Sequence, residues 1–490
     1  MSAGTETDTA EKRRRIERLR EACRARVHRV TFIYPQSRVV RFFLMRNLMQ
    51  ETLMDASNRR EFLRQAGLGA AVLTAGAATA RAASDSRLVL GVIGPGGMGM
   101  NHTRALASRK DVKVAYVCDV DSDRLAAAAK DVEMRSGAAP KACKDMREVL
   151  DDRAVDAVFI TTPDHWHAPA AVLALGAGKH VYVEKPCCHN IREGRAMVEA
   201  VRRSGKFLQV GTQTRSGAVA REAIERIHSG EIGEVLVSKA WNSQLRRSIG
   251  KTQPTSPPSN LDFDAWLGPA PAVPYRTNLL HGVWRWWYDF GCGDIGNDGV
   301  HDIDVAAWGL GVDTHPSTIS CLGGKYFFDD DQQFPDTQYA VFEYPVPGRN
   351  VRKQLIFEQR IWSPYVQEGY ENGAAFYGTK GMMIIGHSVG WKLYGPRNKL
   401  IAEKTGGPDL AAHHQNFFDC IRGGQKQTNA HVKAGFLSAS LVHLANIAAR
   451  VGRVLQFDPE QEQFLDDAGA DELLGRKYRE GHWARVITKA

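Results

Sequence analysis

Residues 87–99 read RLVLGVIGPGGMG. The near-continuous apolar run 87–93 is what a strand buried on both faces requires. Gly94-Pro95-Gly96-Gly97-Met98-Gly99 follows at once, a GxGxxG that opens a helix. In that pattern Gly94 allows a tight turn, Gly96 lets the backbone approach a pyrophosphate, and Gly99 lets helix and strand pack closely. The phosphates then lie at the positive end of the helix, with Met98 among the contacts. Alone the motif is weak. Its weight comes from Asp119, twenty residues after Gly99 and at the end of the second apolar run VKVAYVCD (112–119). A carboxylate there holds a ribose 2′-OH. It repels a 2′-phosphate, which favours NAD over NADP, although Arg124 is a cation able to accommodate NADP.

Downstream, DAVFITTP (156–163), HVYVEKP (180–186) and FLQVGTQ (207–213) read as further strands with helices between them. Strands alternating with helices predict a parallel, doubly wound sheet, here over 84–212. From about 235 the pattern changes to longer runs: EVLVSKAW, TQYAVFEY, KQLIFEQRI and KGMMIIG. These predict a second, mostly antiparallel sheet in a C-terminal α/β domain over 213–480. SPPS (256–259) and GPAPAVP (268–274) mark loops, and the tail near 410–450 returns to helix.

Upstream, residues 57–83 hold Arg59-Arg60, then Phe62-Leu63, a weakly apolar Ala/Gly run and an Ala-x-Ala site at Ala80 and Ala82. Basic region, short apolar region and small-residue site describe an export signal, and the paired arginines make it twin-arginine in type. The run is too short for a stable membrane span. The arginine-rich residues 1–56 are expected to be a disordered extension or an over-long start upstream of the true one. They also explain the charge. Residues 1–83 carry 16 Lys+Arg against 8 Asp+Glu, and the remainder 48 against 47. A neutral body excludes a nucleic-acid partner argued from the formal net charge of +9. Seven of the eight cysteines follow residue 83 at irregular spacings, which suits reduced thiols and no zinc site.

Two later segments carry chemistry. Glu184-Lys185-Pro186 ends a strand, where ligand crevices form, and Lys185 can project a cation over a nicotinamide. GCGDIGNDGVHDID (291–304) is glycine-rich and enters a helix. Asn297 and His301 lie four apart and share one face of a helix, with Asp298 and Asp302 one step round. His301, with an unperturbed pKa of about 6.5, suits a general base. The alternative is a structural histidine satisfied by Asp302 or Asp304. His165 and His167 read as a metal pair only weakly, and no metal is expected.

The order GxGxxG, Asp119, TTPDHWH (161–167), EKP and a glycine-rich segment ending in His301, with WLGPAP (266–271) and HHQNFFDCIRGG (413–424), resembles the Gfo/Idh/MocA oxidoreductase family. The resemblance implies a Rossmann domain followed by an α/β domain with a large open sheet used for homo-oligomerisation. It implies NAD(P)-linked chemistry on a sugar or polyol hydroxyl, with Lys185 and His301 catalytic. It also implies cofactor contacts from Thr161, Pro163, His167, Glu184 and Gln213. Family members carry Asp where Asn297 stands. Asn297 can hold a hydroxyl but accepts no proton, so either Asp298 substitutes as the acidic partner or His301 acts without one. Trp284 can stack on a sugar's C–H face, and Arg285 can bind a hydroxyl or acid group.

Export and a nicotinamide cofactor agree only if the folded protein leaves, through the twin-arginine machinery, with NAD already bound. The expectation is a periplasmic or extracellular enzyme with tightly held NAD. It either oxidises and reduces sugars or polyols, or cleaves glycosides by transient oxidation and elimination. A non-catalytic sugar- or nucleotide-binding protein is the remaining reading.

Overall fold

The computed structural model describes residues 87–485. The basic stretch 1–56 and the signal-like stretch 57–83 lie outside the described residues. The first sheet has six parallel strands in the order β3-β2-β1-β4-β5-β6. They are β1 Leu88–Ile93, β2 Val112–Cys118, β3 Lys141–Cys143, β4 Ala157–Ile160, β5 His180–Val183 and β6 Leu208–Val210. Every residue of β4 is buried, as its unbroken apolar run demands of a central parallel strand. Asp121 and Asn190 accept backbone N–H groups at the starts of helices Ser122–Ser136 and Ile191–Ser204, which fixes where those helices begin. The strand order reverses between β1 and β4, and such a switch point opens a crevice at the strand C-termini.

The second sheet has ten strands in the order β14-β13-β12-β11-β7-β10-β9-β8-β15-β16. They are β7 Val235–Asn242, β8 Thr318–Gly324, β9 Thr337–Pro345, β10 Arg352–Arg360, β11 Asn372–Gly378, β12 Met382–Gly386, β13 Gly390–Gly395, β14 Lys399–Thr405, β15 Leu455–Asp458 and β16 Gln463–Phe464. Only β7 and β10 pair in parallel; β9 with β10, β7 with β11 and the remaining pairs are antiparallel. Alternation explains the layering: Ala340, Phe342 and Tyr344 of β9 are buried, while Tyr339, one residue before them, is exposed. Helix Val300–Leu310 packs on β7 and β11, and helix Val432–Val451 packs on β8. The latter is long and apolar enough to cross a membrane, yet it is mostly buried inside the fold. The four runs read as strands are β7, β9, β10 and β12. The strands that were not read carry weak signals: β11 is NGAAFYG, and β14 is a polar, exposed edge.

Two features bring the sheets' ends together. Arg215, just after β6, makes a two-pronged ion pair with Asp304 of helix Val300–Leu310 at 2.7 and 2.9 Å. A small separate core of Leu261, Trp266, Leu267, Leu279, Trp284 and Phe290 forms in the loop-marked segment. Its edges bond to two strand ends of the first sheet. Asp262 N–H donates to Val120 at 3.0 Å, and the Trp266 carbonyl accepts from the His165 and Trp166 side chains at 3.0 Å each. This segment therefore spans the crevice.

Candidate active site

The crevice is a cavity of about 630 Å³ that runs from Gly94, Asp119 and Thr161 to Lys185, Arg285 and Asn297. Gly94 sits at φ +82°, where a Cβ would come within 2.8 Å of the Thr162 nitrogen. Gly99 has no room for a side chain against the Gly94 carbonyl and Thr161. The Thr161 hydroxyl donates to that carbonyl at 2.8 Å, pinning the glycine turn to β4. No side chain caps helix Met98–Ala107, and Gly96, Gly97 and Met98 line the cavity. A helix start of this kind suits a pyrophosphate. Asp119 stands at the end of β2. Burial pushes its carboxyl up to about 6, against the Asp121 N–H and the charge of Arg124, which both favour ionisation. Arg124 lies over Gly96, so one cation and one carboxylate face the same nucleotide end. Thr162 also lines the cavity, and its buried hydroxyl has no partner among the described residues. Turn, helix start, carboxylate and unpartnered hydroxyl together fit a nicotinamide dinucleotide.

The opposite end is built by both domains. Lys185 follows β5 and donates to the Asn297 backbone carbonyl at 2.5 Å. Asn297 and Asp298 do not lie on a regular α-helix: Ile295–Gly299 is a π-turn that runs into helix Val300–Leu310. The wider turn alters the face expected from a spacing of four. It also leaves the Asn297 carbonyl to Lys185. The Asn297 amide is engaged at both ends, its oxygen accepting from Arg285 Nε at 2.6 Å and its nitrogen donating to Asp294 at 2.9 Å. Asp294 is fully buried and also holds Asn242 (2.8 Å) and Arg246 (3.0 Å). Arg285 lies over the buried Trp284 ring at 4.3 Å.

Asp298 accepts from Asn372 at 2.8 Å and lies 3.4 Å from Arg246. Burial raises its pKa, but His387, His301, Arg246 and Lys185 outweigh burial and hold it below the usual value. His301 carries no hydrogen bond on its ring among the described residues; its ring contact is with His387. Burial first, then the charges of Lys185 and His387, push His301 down to about 3.

The remaining residues read from the sequence take bracing positions. Glu184 is buried and accepts from His102 (2.9 Å) and Gln213 (3.2 Å). Burial alone would raise its pKa; the His102 bond and charge, with Lys185 and His301, hold it down to about 2. Both ring nitrogens of His167 face carbonyls, Pro186 at 2.6 Å and Thr162 at 2.8 Å, so the ring ties β4's end to β5's. Pro163 precedes helix Asp164–Gly176, which starts beside the cavity. His165 is buried and pushed down to about 3 by burial, its Nε2 on the Trp266 carbonyl rather than beside His167. Three contributors were missed in the sequence: His387, Arg246 and His102. None sits in a motif; Asp294 alone had a signal, inside GCGDIGNDG.

Comparison with known proteins follows the same outline. Residues 88–212 match the oxidoreductase family's NAD-binding Rossmann fold model. Residues 237–345 and 389–484 match its C-terminal α/β domain model. The chain is 30% identical over 256 residues to inositol 2-dehydrogenase 2 of Saccharopolyspora erythraea, covering 52% of this chain and 62% of that protein, which is under two thirds of its length. It is 32% identical over 301 residues to scyllo-inositol 2-dehydrogenase (NAD(+)) of Bacillus subtilis, covering 60% of this chain and 72% of that protein. Its fold is like that of aldose–aldose oxidoreductase from Caulobacter crescentus, with a TM-score of 0.58 at 17% identity, over 76% of this chain and 100% of that one. Glycine turn, cross-domain lysine and matched domains lead to one conclusion: the chain belongs to the Gfo/Idh/MocA oxidoreductase family.

Proposed function

We propose that this protein is an NAD-dependent oxidoreductase acting on a secondary hydroxyl of a sugar, glycoside or polyol. The observation that supports the reading is the meeting of Lys185 from one domain with Asn297 of the other at one end of the crevice that begins at the glycine turn; His301 follows on the same segment. The nicotinamide, when bound, supplies the hydride acceptor. Lys185 has one N–H committed to Asn297, which aims the ammonium; its other donors stabilise the oxygen of the reacting carbinol as negative charge develops. His301, neutral because burial and two cations disfavour its charged form, takes the hydroxyl proton. Arg285, fixed by Asn297 and the Gly282 carbonyl (2.9 Å), keeps donors for a neighbouring hydroxyl. Asp119 favours NAD over NADP.

The segment that spans the crevice supports retention of the cofactor: its Asp264, Trp266 and Trp284 line the cavity, and beside them Arg479 pairs with Asp264 and Arg147 lies over the Trp483 ring at 4.7 Å. A retained cofactor is restored within each cycle, by a second sugar in a ping-pong exchange. It also suits export in a folded, loaded state to the periplasm.

The test begins with purified, full-length protein. On denaturation it should release NAD at close to 1:1. The native protein should then convert inositol or an aldose to a keto product or lactone while a second sugar is reduced. Empty protein would remove the retention argument. A released aglycone without net redox change would replace the oxidoreductase reading with glycoside cleavage.

A further inference from the structure

We propose that a second cavity, beside the first, binds an anionic sugar unit of the substrate, its charge carried by a carboxylate or a phosphate ester. The proposal rests on the reading of the substrate as a sugar. The cavity measures about 440 Å³ and is bounded by Arg246, Arg247, Thr252, Asn278, His281 and Trp286. That is within the range of sites that enclose a small ligand. It meets the first cavity at His281 and Gly282, which line both. Arg246 marks where it abuts the reacting end, holding Asp294 at 3.0 Å and lying 3.4 Å from Asp298, the residues that flank Asn297 in space. A sugar whose carbinol lies at Lys185 in the first cavity reaches this space past Gly282 with its next substituent or ring.

The charge balance of the lining selects an anion. Each carboxylate around it is already engaged. Asp330 accepts from Ser248 (3.0 Å), Ile249 N–H (2.9 Å) and Lys325 (3.2 Å). Asp331 accepts from Thr252 N–H and Asn278, both at 2.9 Å. Asp121 holds His281 at 3.0 Å, and Asp294 and Asp298 hold Arg246. Arg247, exposed on the rim, has no partner among the described residues. A guanidinium presents paired donors that match a carboxylate or a phosphate. Beside it, the half-buried Trp286 makes no ring contact among the described residues, which leaves its face for the C–H side of a sugar ring.

Binding of methyl β-D-glucuronide, glucose 6-phosphate and methyl β-D-glucoside to the native, cofactor-loaded protein, followed by ligand-observed NMR titration at low salt, tests this. At least one of the two anions should bind ten times or more tighter than the neutral glucoside. Arg247→Gln should remove that difference, Arg247→Lys should keep part of it, and raising salt should shrink it. Which anion gains identifies the charged group. Equal binding of all three sugars, or a difference that survives Arg247→Gln, overturns the proposal. NAD content and turnover of a neutral polyol are measured on the same samples. Failure of turnover with the binding difference intact therefore counts against the proposed reaction and not against this site.

Discussion

The ring of His387 stands edge-on to the ring of His301, with centroids 5.3 Å apart and planes at 89°. His387 follows β12 and places Nδ1 at 3.1 Å from both oxygens of Asp302. The Asp302 charge, over the opposing effect of burial, pushes His387 up to about 9, with Asp298 adding to the rise and Lys185 opposing it. A cation thus stands behind the proposed base, which itself faces Lys185, His387, Asp298 and Glu184. His387→Gln removes one of the two cations that depress His301, so the acid limb of the kcat/KM profile should move to higher pH. Asp302→Asn should move it the same way, because His387 loses the counter-ion that keeps it charged. A limb that stays put in both variants, read from pH–rate profiles, refutes this arrangement.

Lys185→Met should lower kcat by about 10²–10³, the usual cost of one lost oxyanion donor. The KM for the sugar should change little, since the interaction matters most once charge develops. Steady-state kinetics on loaded enzyme decide it. A variant with unchanged kcat and raised KM would make Lys185 a binding residue only.

Asn297→Asp would introduce the acid that the family resemblance implies at this position, and a proton-relay role expects a faster enzyme. The structure argues the reverse. Asn297 donates to Asp294 at 2.9 Å, and a carboxylate in its place would face another carboxylate inside the protein. A loss of about 1–3 kcal/mol in denaturant stability is expected, together with lower kcat as the Lys185 contact shifts. Equal stability and higher kcat would reinstate the relay.

Glu184 makes a pH-dependent contribution to stability. Its carboxyl falls from 4.5 to about 2 in the folded protein, because His102, Lys185 and His301 outweigh burial. A depressed carboxyl stabilises the fold fully above pH 4.5 and loses that contribution as pH falls through 2. By linkage this amounts to about 3 kcal/mol. Glu184→Gln should be less stable than the parent at pH 6, with the gap closing as both are taken from pH 5 to pH 2 in urea melts. A gap independent of pH would mean that the hydrogen bonds matter and the charge does not.

Local rules made much of the fold legible. The apolar runs at 87–93, 112–118 and 157–160 are strands because a parallel sheet covered on both faces tolerates little else, and the glycine turn can be read because Gly94 and Gly99 are sterically obligatory. Lys185, Asp119 and the 291–304 segment could be singled out from their place after strands or within a glycine-rich entry to a helix. The weak strands β11 and β14 could not, since small or polar residues there take their conformation from neighbouring strands rather than from their own preference.

By itself, the sequence determined the glycine turn after the first strand, the carboxylate twenty residues beyond it, and the positions of the cation and imidazole proposed for the reaction. Only the tertiary structure decided that the Asn297 amide lies between Arg285 and Asp294, and that His387 from 86 residues further along the chain stands against His301. It likewise decided that His281 and Gly282 line both the first cavity and the second. Those relations depend on where two sheets place distant side chains in a low-dielectric space. There, a few ångströms set both hydrogen-bond partners and charge state, and spacing along one chain carries no record of them.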